Sequence, residues 1–213
     1  MSHNEEWFAN EFTRLGALWV HDGNRKRPHA LLTKGGHSNG FFNASLILER
    51  PRLAHKAVQA LTVKLVETGV DRATLSRVVG SALGAITIAH DCSFIFGVKL
   101  GWTEKQKDGS MALKRFDLDP GEIVLPVEDV ITTGGTTRGT IKEIRERGGS
   151  PTNVVGTLVN RSGLEFLDGY KIISLIDREM PIWTPEECPL CKEGSEAVRP
   201  KENWSALTQE YPS

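Results

Sequence analysis

Two adjacent carboxylates, Glu128 and Asp129, end a run of strand-forming residues, and a threonine-glycine loop follows at once in "VEDVITTGGTTRGTI" (127–141). Threonine and glycine let the backbone approach a ligand closely and turn its N–H groups inward. Where a helical pattern begins, such a loop is an anion site, because free N–H groups and the helix dipole both favour phosphate. Thr132, Thr133, Thr136 and Thr137 add hydroxyl donors around Gly134 and Gly135. The two acids would repel that phosphate, so they must meet another part of the ligand. A carboxylate can accept two hydrogen bonds from a vicinal diol. The stretch therefore reads as Glu128 and Asp129 on ribose hydroxyls, then Val130 and Ile131 leading into a nest for a 5′-phosphate. The plain alternative, a β-turn-α connection capped by threonine, has no need of paired acids. The G-x-x-x-x-G-K-[ST] and G-x-G-x-x-G phosphate motifs are absent.

The elements that must position these groups follow from periodicity. Residues 4 to 17 read as an amphipathic helix with Trp7, Phe8, Phe12 and Leu15 on one face. "ALLTKGGHSNGFFNASLIL" reads as two short extended pieces around a glycine-rich turn. Pro51 opens a helix reaching about Glu67. "RVVGS" is a strand, "ALGAITIAHD" a helix and "SFIFGVKL" the next strand. "GWTEKQKDGSMALKRF", lysine-rich and turned at Asp108-Gly109, reads as a mobile hairpin or loop. "EIVLPV" is a buried strand in which Pro126 calls for a bulge or an unpaired position. A helix closed by glycines follows, then the strands "NVVGTLVN" and "YKIISLID". Alternating strands and helices imply an α/β fold, with a mostly parallel sheet flanked by helices. Ligands of such sheets bind beyond the carboxyl ends of the strands. "VVGSALG", "VEDVITTGGTT" and "VNRSG" all lie there, so they should converge on one cleft.

The chain has 213 residues and a formal net charge of −1, enough for one domain with a sizeable core and no general affinity for nucleic acid or anionic membrane. No apolar run is long enough to span a bilayer. The start, "MSHNEEWFANEF", lacks the regions of a signal peptide, and the expected location is cytoplasmic. Three cysteines, Cys92, Cys188 and Cys191, do not make a disulfide framework. Cys188-Pro-Leu-Cys191 has the spacing of half a zinc site; a second pair is missing, and Cys92 and a histidine would have to come from far away to complete one, so two reduced thiols are the expectation and a zinc site the alternative. His37 is expected in a turn, His90 on a helix surface, and the basic cluster "NRKRPH" in a solvated loop.

"IVLPVEDVITTGGTT" resembles the phosphoribosyl-diphosphate (PRPP) motif of type I phosphoribosyltransferases. "LLTKGGHSNGFFN", "VVGSALGAITIAH", the lysine-rich loop and "VNRSG" resemble segments of the orotate phosphoribosyltransferases, over about residues 27 to 200. The resemblance implies a type I phosphoribosyltransferase-like domain over 1–213, with a small N-terminal hood (about 1–50), a C-terminal tail (178–213), a core (about 51–177) and a mobile catalytic loop. It implies transfer of phosphoribosyl from PRPP to orotate, giving orotidine 5′-monophosphate and pyrophosphate, in pyrimidine synthesis. It makes Gly80, Ser81, Ala82, Leu83 and Gly84 the first pyrophosphate loop, Lys105 and Lys107 catalytic with Asp129, and Arg115 an assistant. Lys34, Phe41, Phe42, Thr132 and Arg161 would hold orotate. The cofactor would be Mg²⁺, carried mainly by PRPP and water, and the assembly a homodimer with shared active sites. The chemistry is consistent with this. A planar anion needs cations such as Lys34 and Arg161 and a flat apolar wall, although strand alternation allows one of Phe41 and Phe42 to face it. The loop departs from better-known members: Thr103 and Glu104 stand where those carry an Arg-Lys pair, and no histidine follows Lys107-Asp108; "TEKQKDGSMALKR" is more similar to the shorter pattern of another branch, and that match makes Lys105 the better catalytic candidate. Two other functions remain open at this level. One is salvage transfer to another nucleobase; the other is PRPP sensing without turnover.

Overall fold

The computed structural model describes residues 3–32 and 35–210. The chain begins with α1 (His3–Arg14), which ends three residues earlier than the periodicity suggests, before Gly16 at φ 71°. Phe8 and Phe12 enter the core, whereas Trp7 stays exposed and packs edge-on against Phe8. Four short strands follow: β1 (Leu18–Val20), β2 (His29–Leu31), β3 (His37–Ser38) and β4 (Gly40–Phe42). A short α2 (Ser45–Leu48) leads to α3 (Pro51–Glu67), with Pro51 at the start, where its missing N–H costs nothing.

The alternating core comprises β5 (Arg77–Ser81), α4 (Ile86–Phe96), β6 (Lys99–Lys105), β7 (Met111–Ala112), β8 (Ile123–Ile131) and α5 (Gly135–Glu146). It continues through β9 (Ser150–Pro151), β10 (Val154–Asn160), β11 (Phe166–Leu167) and β12 (Tyr170–Asp177). Then come β13 (Ile182–Trp183), α6 (Pro189–Lys192), β14 (Ala197–Val198) and α7 (Trp204–Thr208). One expectation is corrected here. Ser93–Phe96, read as the start of a strand, is the last turn of α4, closed by Gly97 at φ 71°, and the strand begins at Lys99. A short apolar run carries no period that separates a buried helix from a strand.

The main sheet has the order β11-β12-β10-β8-β5-β6-β7, with β9 beside β8. The five central strands are mutually parallel, and the edge strands β11 and β7 are antiparallel. Both faces are covered, and the two-residue period of a strand sorts the side chains between them. Val78 and Leu125 join the cluster built with α3 and α4, while their neighbours Val79 and Val124 join Ile144 of α5. Pro126 lies opposite Val79 on the β5 side. On the other side, it falls between Val124, the last partner of β9, and Val127, the first partner of β10. That is the unpaired position a proline requires.

The hood forms a second sheet, β13-β3-β2-β14, and a pair, β1-β4. Half of the second sheet comes from residues beyond 180, so the C-terminal segment returns to pack on the N-terminal strands. Among the described residues, no helix is long and apolar enough to cross a membrane.

Candidate active site

Two adjoining cavities open at the carboxyl ends of β6, β8 and β10; the "VVGSALG" segment, expected to converge with them, lines neither, because its Gly84 end packs on Asp129 instead. The smaller, about 320 Å³, is lined by Glu128, Val130, the Thr132–Thr137 loop and Lys105. The larger, about 840 Å³, shares Lys105, Val130, Thr132, Thr133 and Thr136, and extends under the hood past Phe41 to Arg161.

The small cavity has the form of an anion nest. Gly134, at φ 75°, caps α5, so the loop turns directly into the first helical turn, whose N–H groups lack helical partners. A Cβ on Gly134 would lie 2.4 Å from Leu167 Cδ1. Arg138 holds the loop from behind: Nη1 donates to Thr133 O at 2.6 Å, and Nε to Asp168 at 2.8 Å. Sequence reasoning missed this support, because its partner lies 30 residues on. Thr132, Thr133 and Thr136 are exposed to the cavity, whereas the Thr137 side chain is buried. Ile131 turns into the core with Ile141 and Val155, so its backbone is what it can offer a ligand.

The two acids differ. Glu128 is buried, with Oε2 lacking a partner among the described residues. Burial, reinforced by the adjacent Asp129, pushes its carboxyl well above the usual range. Asp129 is half-buried and receives the Val130 N–H at 2.8 Å. Its Oδ2 lies where a Cβ on Gly84 would be, 2.1 Å away, so the end of the "GSALG" loop packs directly on this carboxylate. Gly80 is equally constrained, since its Cβ would meet Ala85 O at 2.4 Å. Ser81 is bonded to Thr140 at 3.2 Å; Ala82 donates its N–H to Thr103 O at 2.7 Å; Leu83 is fully outside.

The lysine-rich segment is a hairpin, β6 paired with β7, and Lys105 lies opposite Met111. Lys105 lines both cavities; Lys107, at the tip, lines neither. Arg115 is held on the outer side by Glu104 at 2.6 Å.

In the large cavity, Arg161 is 3% exposed. Its Nη2 donates to Ser38 Oγ at 2.7 Å, and its Nε has no partner among the described residues. Desolvation lowers its pKa to about 10, which leaves the guanidinium charged at neutral pH. Phe41 is half-buried against Trp204, with ring centroids 5.7 Å apart. Phe42 also lines the cavity but belongs mainly to the core, stacked near Phe12. Lys34 lies outside the described residues. The tail residues Trp183, Thr184, Pro185, Arg199 and Lys201 complete the wall, and no sequence signal assigned them to it.

The weaker sequence signals also resolve. His90 is exposed on α4, as expected, and Cys92 is buried in the core. His37 is not a solvated turn residue: it is buried on β3, beside His29, Cys188 and Cys191.

No family model matches the chain. It is 35% identical over 198 residues to an orotate phosphoribosyltransferase of Desulforamulus reducens, covering 92% of this chain and 96% of that one. It is also 35% identical over 185 residues to one of Pelotomaculum thermopropionicum, with 86% and 94% covered. Among solved structures, it is similar to an orotate phosphoribosyltransferase from Aeropyrum pernix: TM-score 0.64, 24% identity, 80% of this chain and 93% of that chain. An adenine phosphoribosyltransferase from Saccharomyces cerevisiae shares the fold at TM-score 0.56 and 17% identity, over 80% of this chain and 99% of that one.

Proposed function

The chain belongs to the orotate phosphoribosyltransferase family, and on that premise we propose that it transfers phosphoribosyl from PRPP to orotate, giving orotidine 5′-monophosphate and pyrophosphate. The observation that carries the choice of base is Arg161. It is a buried guanidinium whose Nε has no partner among the described residues, in a cavity that Phe41 also lines and that is continuous with the anion nest. A neutral base would leave that charge uncompensated; a carboxylate on a planar ring completes it.

In this reading, the 5′-phosphate sits on the N–H groups of Gly134 to Thr137, with the threonine hydroxyls around it. Glu128 and Asp129 accept from the ribose diol. As the bond from the anomeric carbon to the diphosphate oxygen breaks, charge grows on the leaving group and the sugar becomes oxocarbenium-like. The ring nitrogen of orotate forms the new bond to the anomeric carbon, and its proton passes to the departing diphosphate. Lys105 meets the developing negative charge, together with the backbone N–H groups of Leu83 and Gly84. Closure of the Lys105–Met111 hairpin excludes water that would otherwise hydrolyse PRPP.

The donors around the nest are carboxylates and hydroxyls, hard oxygen ligands that suit Mg²⁺. Glu128 and Asp129 would be the residues to hold such a cation, directly or through water. When bound, Mg²⁺ neutralises diphosphate charge. The proposal extends to a homodimer with shared active sites. It is supported by Leu83 and Phe94, apolar side chains 85% and 75% exposed at the start of α4 and within it. A cytoplasmic location is supported by three free cysteines.

The test is direct. Purified protein with Mg²⁺, PRPP and orotate is followed by loss of orotate absorbance and by pyrophosphate release, beside a panel of purine and pyrimidine bases. Orotate consumption matched by pyrophosphate supports the reading. Release with another base alone replaces the substrate. PRPP binding without turnover replaces the enzyme with a sensor.

A further inference from the structure

Four side chains far from the phosphate nest meet at one point. His29 lies on β2 and His37 on β3, while Cys188 and Cys191 flank and enter α6, about 160 residues away in sequence. Their ligand atoms all lie within 4.8 Å of one another. Four of the separations are short: His29 Nε2 to His37 Nδ1 at 3.1 Å, His37 Nδ1 to Cys191 Sγ at 3.2 Å, and His29 Nε2 to each sulfur at 3.5 Å. With Zn–N near 2.0–2.1 Å and Zn–S near 2.3 Å, a tetrahedral ion sets ligand-to-ligand edges of about 3.3–3.8 Å. Four of the six edges already lie within about 0.4 Å of those values, and the other two are no longer than 4.8 Å.

The protonation pattern agrees. Ser195 donates its hydroxyl proton to Arg27 O at 2.7 Å, so toward His29 Nδ1, 2.9 Å away, it acts as acceptor. His29 therefore carries its proton on Nδ1 and presents the Nε2 lone pair to His37 and both sulfurs. A second group fixing the tautomer of a ligating histidine is a regular feature of metal sites. One lone pair facing three close neighbours is poorly served by hydrogen bonds alone, whereas a cation at the centre serves all four atoms.

We propose that His29 Nε2, His37 Nδ1, Cys188 Sγ and Cys191 Sγ form a closed, four-coordinate structural site for Zn²⁺. Two thiolates and two imidazoles make a neutral zinc centre, compatible with the burial of His29, His37 and Cys188. The set fills all four positions, so it leaves none for substrate. Its work is to clasp the C-terminal segment onto the hood. Ser38, next to His37, accepts from Arg161, and Thr184 and Pro185, just before the cysteines, line the large cavity. That link to the base pocket rests on the orotate reading; the metal site itself does not.

The experiment uses the full-length, untagged protein, purified without chelator and dialysed against metal-free buffer. Elemental analysis is expected to find about one zinc per chain, lost in Cys191→Ser, a half-buried position chosen so that the fold survives. Circular dichroism checks that it does. Replacing the metal by Co²⁺ should yield the visible bands and thiolate charge-transfer absorption of a tetrahedral two-sulfur site. Stripping zinc with a strong chelator should lower the melting temperature by about 5 °C or more, with recovery on adding Zn²⁺. Protein free of zinc that takes up neither metal overturns the proposal, as does a Cys188–Cys191 disulfide in the freshly purified chain. Zinc retained unchanged in folded Cys191→Ser overturns the ligand set. None of these readouts depends on turnover.

Discussion

A guanidinium held in the interior without a carboxylate costs several kcal/mol unless something completes its hydrogen bonds, and Arg161 is so placed among the described residues. Ser38 Oγ and Met180 O accept from Nη2, and Nε has no partner among the described residues. Arg161→Ala should therefore act on orotate rather than on PRPP. Steady-state kinetics should show kcat/KM for orotate falling about 100-fold, the equivalent of about 3 kcal/mol, with PRPP affinity measured by calorimetry changed less than about threefold. Equal losses for both substrates would remove Arg161 from the base site. The sequence carried this residue plainly, as a cation just after a buried strand. It did not carry Ser38, because a contact spanning 123 residues leaves no local pattern.

At the scale of elements, the hairpin β6–β7 places the two loop lysines differently. Register sets Lys105 opposite Met111 and turns it toward both cavities, while Lys107 lies in the turn beyond the last pair. Lys105→Ala should lower kcat about 100- to 1,000-fold, the range for losing one group that stabilises developing charge. Lys107→Ala should stay within about tenfold. Single-turnover measurements of pyrophosphate release would compare them, and the reverse ranking would mean that the hairpin acts in another conformation. The loop before α5 was legible because its residue types state its chemistry. Its brace from Arg138, and the close approach of Asp129 to Gly84, were not, since each joins segments brought together by the sheet order.

For the whole molecule, one buried ion pair ties the sheet together. Arg77 Nε donates to Glu122 Oε2 at 2.9 Å, with further bonds to Leu100 O and Asp117 O. Burial would raise the Glu122 pKa, but Arg77 and Lys99 outweigh it and hold the carboxyl below its ordinary 4.5. A carboxylate whose folded-state pKa is depressed contributes stability that is complete above the unfolded value. That contribution is lost as pH falls through the folded one. Urea unfolding should therefore lose stability below about pH 4.5 in the native chain. Glu122→Gln should be about 3 kcal/mol less stable near pH 7 and should show a flatter acid limb. An unchanged acid limb would place the titrating group elsewhere.

By itself, the sequence determined the alternating core, the order of its main helices and strands, and the threonine-glycine loop that lines the small cavity. Those features are local: a strand period, a helix start, a run of threonine and glycine. The single misassigned strand start, at Ser93, lay where an apolar run has no distinguishing period. Tertiary structure decided what depended on distant segments meeting. It returned residues beyond 180 to the hood, so that Trp183 and Arg199 wall the base cavity. It also joined half a metal motif near the C-terminus to two histidines from the N-terminal strands, on either side of the turn between them. The physical reason is shared: a side chain's neighbours along the chain are written in the sequence, whereas its neighbours across a sheet follow from strand order and register.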